Sequence, residues 1–279
     1  LSRKIEAPTV EILVIGNELL SGTTLDTNSH WLTKEVTQLG FIVKRKITIR
    51  DELDVISQTF KQMIGRRPGW IFSLGGLGPT FDDMTLRGLA NALGRKMELN
   101  ETAAKMLKER YRARSLLYGR KYARVTKASL KMATLPAGAI PLRNTRGSAP
   151  GVLIHHDGVR LISLPGVPRE MKAIFREQVR PLLQSTPLRN ERLERWLYVE
   201  GVTESRLAPK IDKTVKKYGE RVYVKSHPFG FKKGKSVLKL QIIADSVNAS
   251  GSKKLLDEVA ERLTKSVSSL GGSAKWMKR

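Results

Sequence analysis

The stretch from Trp70 to Thr85, WIFSLGGLGPTFDDMT, joins an apolar run, a glycine-rich turn and two neighbouring carboxylates. Asp82 and Asp83 are the residues best suited to chemistry. Adjacent carboxylates beside a phosphate can hold Mg²⁺, which keeps most of its waters and bridges protein to phosphate. Gly75, Gly76 and Gly78 provide the other half, because backbone without a Cβ takes positive φ and comes close to a ligand. Thr80 and Thr85 add hydroxyl groups to the same loop. A loop at the carboxyl end of a strand is where open α/β sheets bind phosphorylated ligands. A helix beginning near Asp83 would add unpaired amides and a positive dipole end. The alternative is that one aspartate is simply the N-cap of that helix, with Thr85 in its first turn.

Three other stretches carry polar residues on glycine- or proline-containing turns. Val10 to Ile15 is an apolar strand that stops at Gly16, and GNELLSGTTLDTN follows. There Glu18 could reach a metal or a hydroxyl-bearing substrate, and Ser21 and Gly22 could meet a phosphate. Equally, Glu18 could be a surface residue and Asp26 or Thr27 the cap of a helix running to Gly40. RNTRGSAPGV places Asn144, Gly147 and Ser148 on a turn before a strand. LPGVPREM is a loop after a strand: Gly166, next to Pro165, permits a close backbone approach, Pro168 opens a helix, and Glu170 is a capping-box acid or a ligand contact.

Together these stretches resemble the molybdopterin-binding domain family, which includes molybdenum-cofactor synthesis proteins, gephyrin and CinA proteins. Leu-Gly-Pro-Thr followed by a double Asp resembles the CinA branch. Gly16, Asn17, Glu18, Ser21, Gly22, Asp26 and Asn28 resemble the family's first motif. Asn144 and Gly147 to Gly151 match its Asn-x-x-Gly-Thr-Ala-Pro-Gly, with Ser148 replacing the usual Thr. Ser129 stands where many CinA proteins carry Asn. The resemblance implies metal-dependent cleavage of a nucleotide diphosphate, such as ADP-ribose or FAD, to give AMP. Asp82 and Asp83 would hold Mg, Mn or Co, and with Glu18 would be catalytic. Gly16, Asn17, Ser21, Gly22, Asn28, Gly75, Gly76, Gly78, Thr80, Thr85, Asn144, Gly147, Ser148, Pro165, Gly166 and Glu170 would bind substrate.

Two other functions remain open: molybdopterin binding or adenylyl transfer in molybdenum-cofactor synthesis, and pterin or nucleic-acid binding without turnover. The resemblance also implies a homodimer. CinA proteins often carry an additional C-terminal amidohydrolase domain; the 279 residues are expected to end before any such domain, and its activity is not expected of them.

The elements needed to position these residues follow from hydrophobic spacing. Apolar strand, amphipathic helix Thr27–Leu39, alternating strand Phe41–Ile49, helix opened by Asp51 and the strand at Trp70 give β-α-β-α-β. That alternation predicts an α/β fold: a doubly wound, three-layer, mostly parallel sheet over residues 1–185. His156-Asp157-Gly158 reads as a hairpin turn. A linker is expected over 186–192, then a smaller α+β domain over 193–279 in the order β-α-β-β-α, which loosely resembles the KH-like second domain of CinA proteins through Gly201, Glu204 and Ser205.

The chain has 279 residues, no cysteine and a net charge of +25, with a pI near 10.4. Absence of cysteine excludes disulfides, thiolate zinc sites and cysteine nucleophiles. No segment reaches the ~20 apolar residues of a membrane span, and the expected location is cytoplasmic. The basic run from Lys105 to Lys131 is a solvated face or a source of charge for a phosphorylated substrate. Lys225, Lys232, Lys233, Lys235 and Lys239 surround HPFGF, residues 227–231, which makes this the strongest nucleic-acid candidate. No Gly-x-x-Gly loop accompanies it, and the favoured reading is a hairpin with solvated lysines rather than a nucleic-acid site.

Overall fold

The computed structural model describes residues 8–117, 125–186, 191–246 and 248–277. Part of the expected linker and the cations Arg120, Lys121 and Arg124 lie outside the described residues. The chain divides into two compact units between residues 187 and 188.

In the first unit, β1 (Thr9–Ile15) leads through a one-turn helix α1 (Asn17–Leu20) to α2 (Thr27–Gln38) and β2 (Ile42–Ile49). Asp26 caps α2, accepting from the Ser29 amide at 2.9 Å. Helix α3 (Leu53–Gly65), strand β3 (Trp70–Leu74) and helix α4 (Thr85–Leu93) follow, and α4 ends at Gly94 in the left-handed conformation. The short strand β4 (Met97–Leu99) precedes α5 (Glu101–Leu117), which is capped by Asn100 through the Ala103 amide at 2.9 Å. Then come α6 (Lys127–Lys131), β5 (Thr134–Pro136), β6 (Ile140–Leu142), β7 (Gly151–His156) and β8 (Val159–Leu164). The last helical stretch is α7 (Pro168–Ile174), a π turn at Phe175–Val179, and α8 (Arg180–Gln184).

The main sheet has the order β2-β1-β3-β8-β7-β6. Its first four strands are parallel, and β7 and β6 add antiparallel neighbours. Alternation along buried strands sends side chains to both faces. Leu13, Ile15 and Ile71 pack with Ile56, Phe60 and Met63 of α3 and Leu89 of α4. On the other face an aromatic row, Phe41, Trp70, Phe72, Phe175 and Trp31, joins β3 to α2 and the π turn, with ring centroids 5.3–6.5 Å apart. This gives the expected three layers. Asp157 and Gly158 both have positive φ, the geometry of a type I′ hairpin.

Four expectations need correction. Helix α4 starts at Thr85 rather than near Asp83, with Met84 at its N-cap and no side-chain cap, so neither aspartate caps it. Glu52, not Asp51, precedes α3 as its N-cap residue. Of the three loop glycines only Gly75 and Gly76 take positive φ; at Gly78 a Cβ would press on the Asp83 carboxylate, which would have to shift. Strand β9 (Glu191–Glu200) begins inside the expected linker. The short strands β4, β5 and β6 escaped the sequence reading, since three residues show no period.

In the second unit β9 is followed by α9 (Glu204–Tyr218), β10 (Val222–Lys232), β11 (Lys235–Ser246), α10 (Ala249–Ser269) and β12 (Ser273–Trp276). Its sheet is antiparallel throughout, in the order β10-β11-β9-β12. Both helices contribute to one core with the strands. No helix among the described residues is long and apolar enough to cross a membrane.

Candidate active site

From β1 the chain passes to β2 on one side and returns to β3 on the other. The carboxyl ends of β1 and β3 therefore flank the point where strand order reverses, the place at which open α/β sheets form a crevice. Gly75, at the end of β3, has φ 99° and donates its amide to Leu164 O at 3.0 Å. A Cβ at Gly75 would collide with Ile15 O of β1, and the Cβ position of Gly166 lies 3.5 Å from the Gly75 Cα. Three loops thus meet around Gly75, the position where positive φ and the Ile15 carbonyl leave room only for glycine.

Thr85 locks this loop from beneath. Its buried hydroxyl donates to Gly75 O at 2.8 Å and its amide to Gly76 O at 3.3 Å. Ahead of it, the Thr80 amide donates to Asp83 Oδ2 at 2.8 Å, while the Thr80 hydroxyl lies between Asp82 and Asp83. Lys131 donates to Thr80 O. The Thr80 hydrogen bond, then Asp82's own backbone amide, hold the Asp82 carboxyl below its usual range, and the Lys131 charge acts in the same direction.

Asp51 faces the same space. It accepts from the Asn17 amide at 2.9 Å. Burial pushes its pKa up, the Asn17 bond opposes this, and the charges of Glu18, Asp82 and Asp83 raise it further. Four carboxylates from three loops share one field.

The opposite loops are tied by Asn144, which is only 7% exposed. Its Nδ2 donates to Ala149 O at 2.8 Å and to Glu170 Oε2 at 2.7 Å, and its Oδ1 accepts from the amides of Arg146 (3.0 Å) and Gly147 (2.7 Å). A Cβ at Gly147 would overlap the Glu170 carboxylate. Asn28 Nδ2 donates to Gly166 O at 2.6 Å.

A cavity of about 1070 Å³ opens among these loops. Of the residues expected to form a site, Gly16, Glu18, Asn28, Gly75, Gly76, Gly78, Thr80, Asp82, Asp83, Gly147, Ser148, Pro165, Gly166 and Glu170 line it. Asn17, Ser21, Gly22, Thr85 and Asn144 do not: Thr85 and Asn144 hold the loops, Asn17 binds Asp51, and Ser21 bonds locally to Glu18 O at 3.2 Å. Sequence reasoning missed Asp51, Arg146 and Arg169 as lining residues, and foresaw Arg110 only as part of the basic run. Asp51 was masked by its position, since an aspartate before a helix reads as a cap.

A divalent ion can be tested against this donor set. Among the described residues no three acidic or histidine side chains converge as a ready-made cage. The paired Asp82 and Asp83 fit instead an ion held by one or two carboxylates and completed by substrate phosphate and water, the usual arrangement for Mg²⁺.

The family model described as "Probable molybdopterin binding domain" matches residues 11–185. The chain is 42% identical over 265 residues to a protein of Metallosphaera sedula, covering 95% of this chain and 96% of that one. It is 40% identical over 263 residues to a protein of Sulfurisphaera tokodaii, covering 94% and 96%. Among solved structures, a Thermoplasma acidophilum protein described as CinA with unknown function is similar to 62% of this chain and 98% of its own, at 34% identity and TM-score 0.56. With its glycine loop, double aspartate and Asn144 turn meeting at one switch point, the chain belongs to the CinA-like proteins built on a molybdopterin-binding domain.

Proposed function

We propose that the chain is a divalent-metal-dependent nucleotide pyrophosphatase that hydrolyses a diphosphate such as ADP-ribose or FAD to give AMP. One observation carries this reading: a single cavity is lined by the carboxylates of Glu18, Asp51, Asp82 and Asp83, a glycine loop, and Arg110, Arg146 and Arg169. Arginines on a pocket wall match phosphate oxygens in geometry and charge. Carboxylates would repel the same phosphates unless a cation stood between them. Asp82 and Asp83 would hold Mg²⁺, Mn²⁺ or Co²⁺, which when bound neutralises diphosphate charge and polarises the phosphoryl group.

The chain's own residues do the rest. Amides of Gly76 and Gly78 would meet oxygen charge developing at phosphorus, whereas that of Gly75 is engaged by Leu164 O, in a loop that Thr85 holds through Gly75 O and Gly76 O. Glu18 or Glu170, which line the same cavity, would orient the attacking water. Ser148, Gly166 and Asn28 contact the nucleotide portion.

The test is AMP release from ADP-ribose, FAD and NAD with each metal, against the Asp82→Ala/Asp83→Ala double variant. AMP that requires metal and disappears in the variant supports the reading. Molybdopterin binding or adenylyl transfer is the second reading, favoured by the domain match over residues 11–185. Molybdopterin bound with no AMP from any dinucleotide would replace the first by the second.

A further inference from the structure

The second unit places a different chemistry on its sheet. Leu197 and Val199 of β9, Leu238, Leu240, Ile242 and Ala244 of β11, and Val222 and Val224 of β10 form a core with α9 and α10. Strand alternation sends the residues between them to the other face, on which neither helix of this unit packs. Register brings Tyr198 and His227 to either side of Lys239, and Trp196 and Lys225 to either side of Gln241, with Tyr223 beside Ile243. Strand β12 adds Lys275 beside Tyr198.

The rings and cations on this face interact. Trp196 and His227 have centroids 5.1 Å apart, Lys239 Nζ sits 3.4 Å from the Phe229 centroid, and Lys275 Nζ is 5.7 Å from that of Tyr198. Tyr223 is 50% and Phe229 63% exposed, large values for aromatic rings in a strand. Acids are present on the same face, but Asp245 faces Arg192 at 3.2 Å and Glu194 accepts from the Trp196 indole at 2.9 Å, leaving Glu200 at the strand end.

We infer that this helix-free sheet face, through Tyr223, Trp196, Tyr198, Phe229 and the lysines 225, 239 and 275, binds single-stranded nucleic acid. Flat rings accept stacked bases, and lysines spaced between them meet the phosphates that join those bases. A duplex hides its bases and would gain only the charge contribution. The hairpin lysines are then part of a platform rather than merely solvated, which sequence could not show. Trp196, Tyr198 and Lys275 are distant from HPFGF in the chain and reach it only through strand pairing. The net charge of +25 supplies a long-range field of the right sign.

The experiment measures fluorescence anisotropy of the full chain with labelled oligouridine and oligothymidine of about 12 nucleotides, and with a duplex of equal length. Single strands are expected to bind at least about tenfold tighter than duplex, as stacking implies. Tyr223→Ala and Phe229→Ala, at exposed positions, are each expected to weaken binding about fivefold to a hundredfold. Lys225→Gln with Lys275→Gln is expected to flatten the salt dependence, by about 0.7 in log–log slope per lysine. Circular dichroism verifies that each variant is folded, and AMP release by Phe229→Ala should equal that of the parent. Equal affinity for duplex with unaffected aromatic variants would overturn the inference in favour of plain polycation attraction. Absence of single-strand binding at low salt would overturn it outright.

Discussion

Replacing Asn144 by Ala separates two roles that sequence alone confounds. If Asn144 binds substrate, its loss should weaken turnover and leave the fold intact. The structure has all of its amide engaged: two donated bonds, to Ala149 O and Glu170 Oε2, and two accepted, from the amides of Arg146 and Gly147. A neutral hydrogen bond contributes about 1 kcal/mol net, one to a charged group about 1.5–3 kcal/mol, and groups left without partners add to the loss. Water can replace part of this at the amides of Arg146 and Gly147, but not readily at the buried Ala149. The expected cost is about 3–5 kcal/mol. For a domain of about 150–250 residues, each kcal/mol lowers Tm by about 2–4 °C, so the variant should melt roughly 6–20 °C below the parent. Calorimetry on the two proteins reads this directly, with Ser148→Ala as a control, a lining residue expected to shift Tm by less than ~2 °C. A Tm within about 2 °C of the parent, together with lost ligand binding, would refute the argument and return Asn144 to the substrate.

Three further outcomes follow from particular contacts. Thr85→Val keeps shape but removes the hydroxyl that binds Gly75 O; it should cost about 1–3 kcal/mol in urea unfolding and raise KM for the diphosphate substrate. Gly88→Ala would normally favour a helix by about 1 kcal/mol. Here the new methyl meets Ile56 Cγ2 of α3, so a loss of about 1–3 kcal/mol is expected, smaller when measured in an Ile56→Ala background. Asp51 has a raised pKa in the folded chain, so the folded state binds more protons than the unfolded one between the ordinary value and the raised one. Stability therefore falls as pH rises through that window. Asp51→Asn, which still can accept from Asn17, should melt higher than the parent at pH 7, and the advantage should vanish on acidification below the usual carboxylate range.

The central sheet was legible because buried strands and amphipathic helices have periods, and Val10–Ile15, Ile42–Ile49 and Trp70–Leu74 display them. The glycines at 75 and 76 were legible as well, since a strand followed by paired glycines needs a turn that other residues resist. The roles of polar residues were less so. Asp51 reads as a cap because its place before α3 is where caps occur; only the fold carries Asn17 and Glu18 to it. Asn144 and Thr85 read as ligands because motif residues cluster near sites, whether they touch the ligand or hold the loop. Glu11 is the opposite case. A carboxylate within VEILVI promises no burial, yet it is 2% exposed and held by Arg66 at 2.6 Å and Arg45 at 2.9 Å. Those partners come from α3's end and from β2, at separations no local pattern records.

The π turn at Phe175–Val179 has a bearing on how this domain can vary in length. A π turn holds one residue more than the α-helical spacing, and each residue of an α-helix turns the axis by about 100°. Arg169 and Glu170, ahead of the turn, are aimed by the loop that begins at Pro165, whereas Val179 and Leu183 are aimed by the core. The surplus residue lets the two ends keep separate phases. A one-residue deletion here would merge them into a continuous α-helix and rotate the cavity-facing carboxylate away from Asn144, while the same deletion in an exposed loop would leave that alignment untouched.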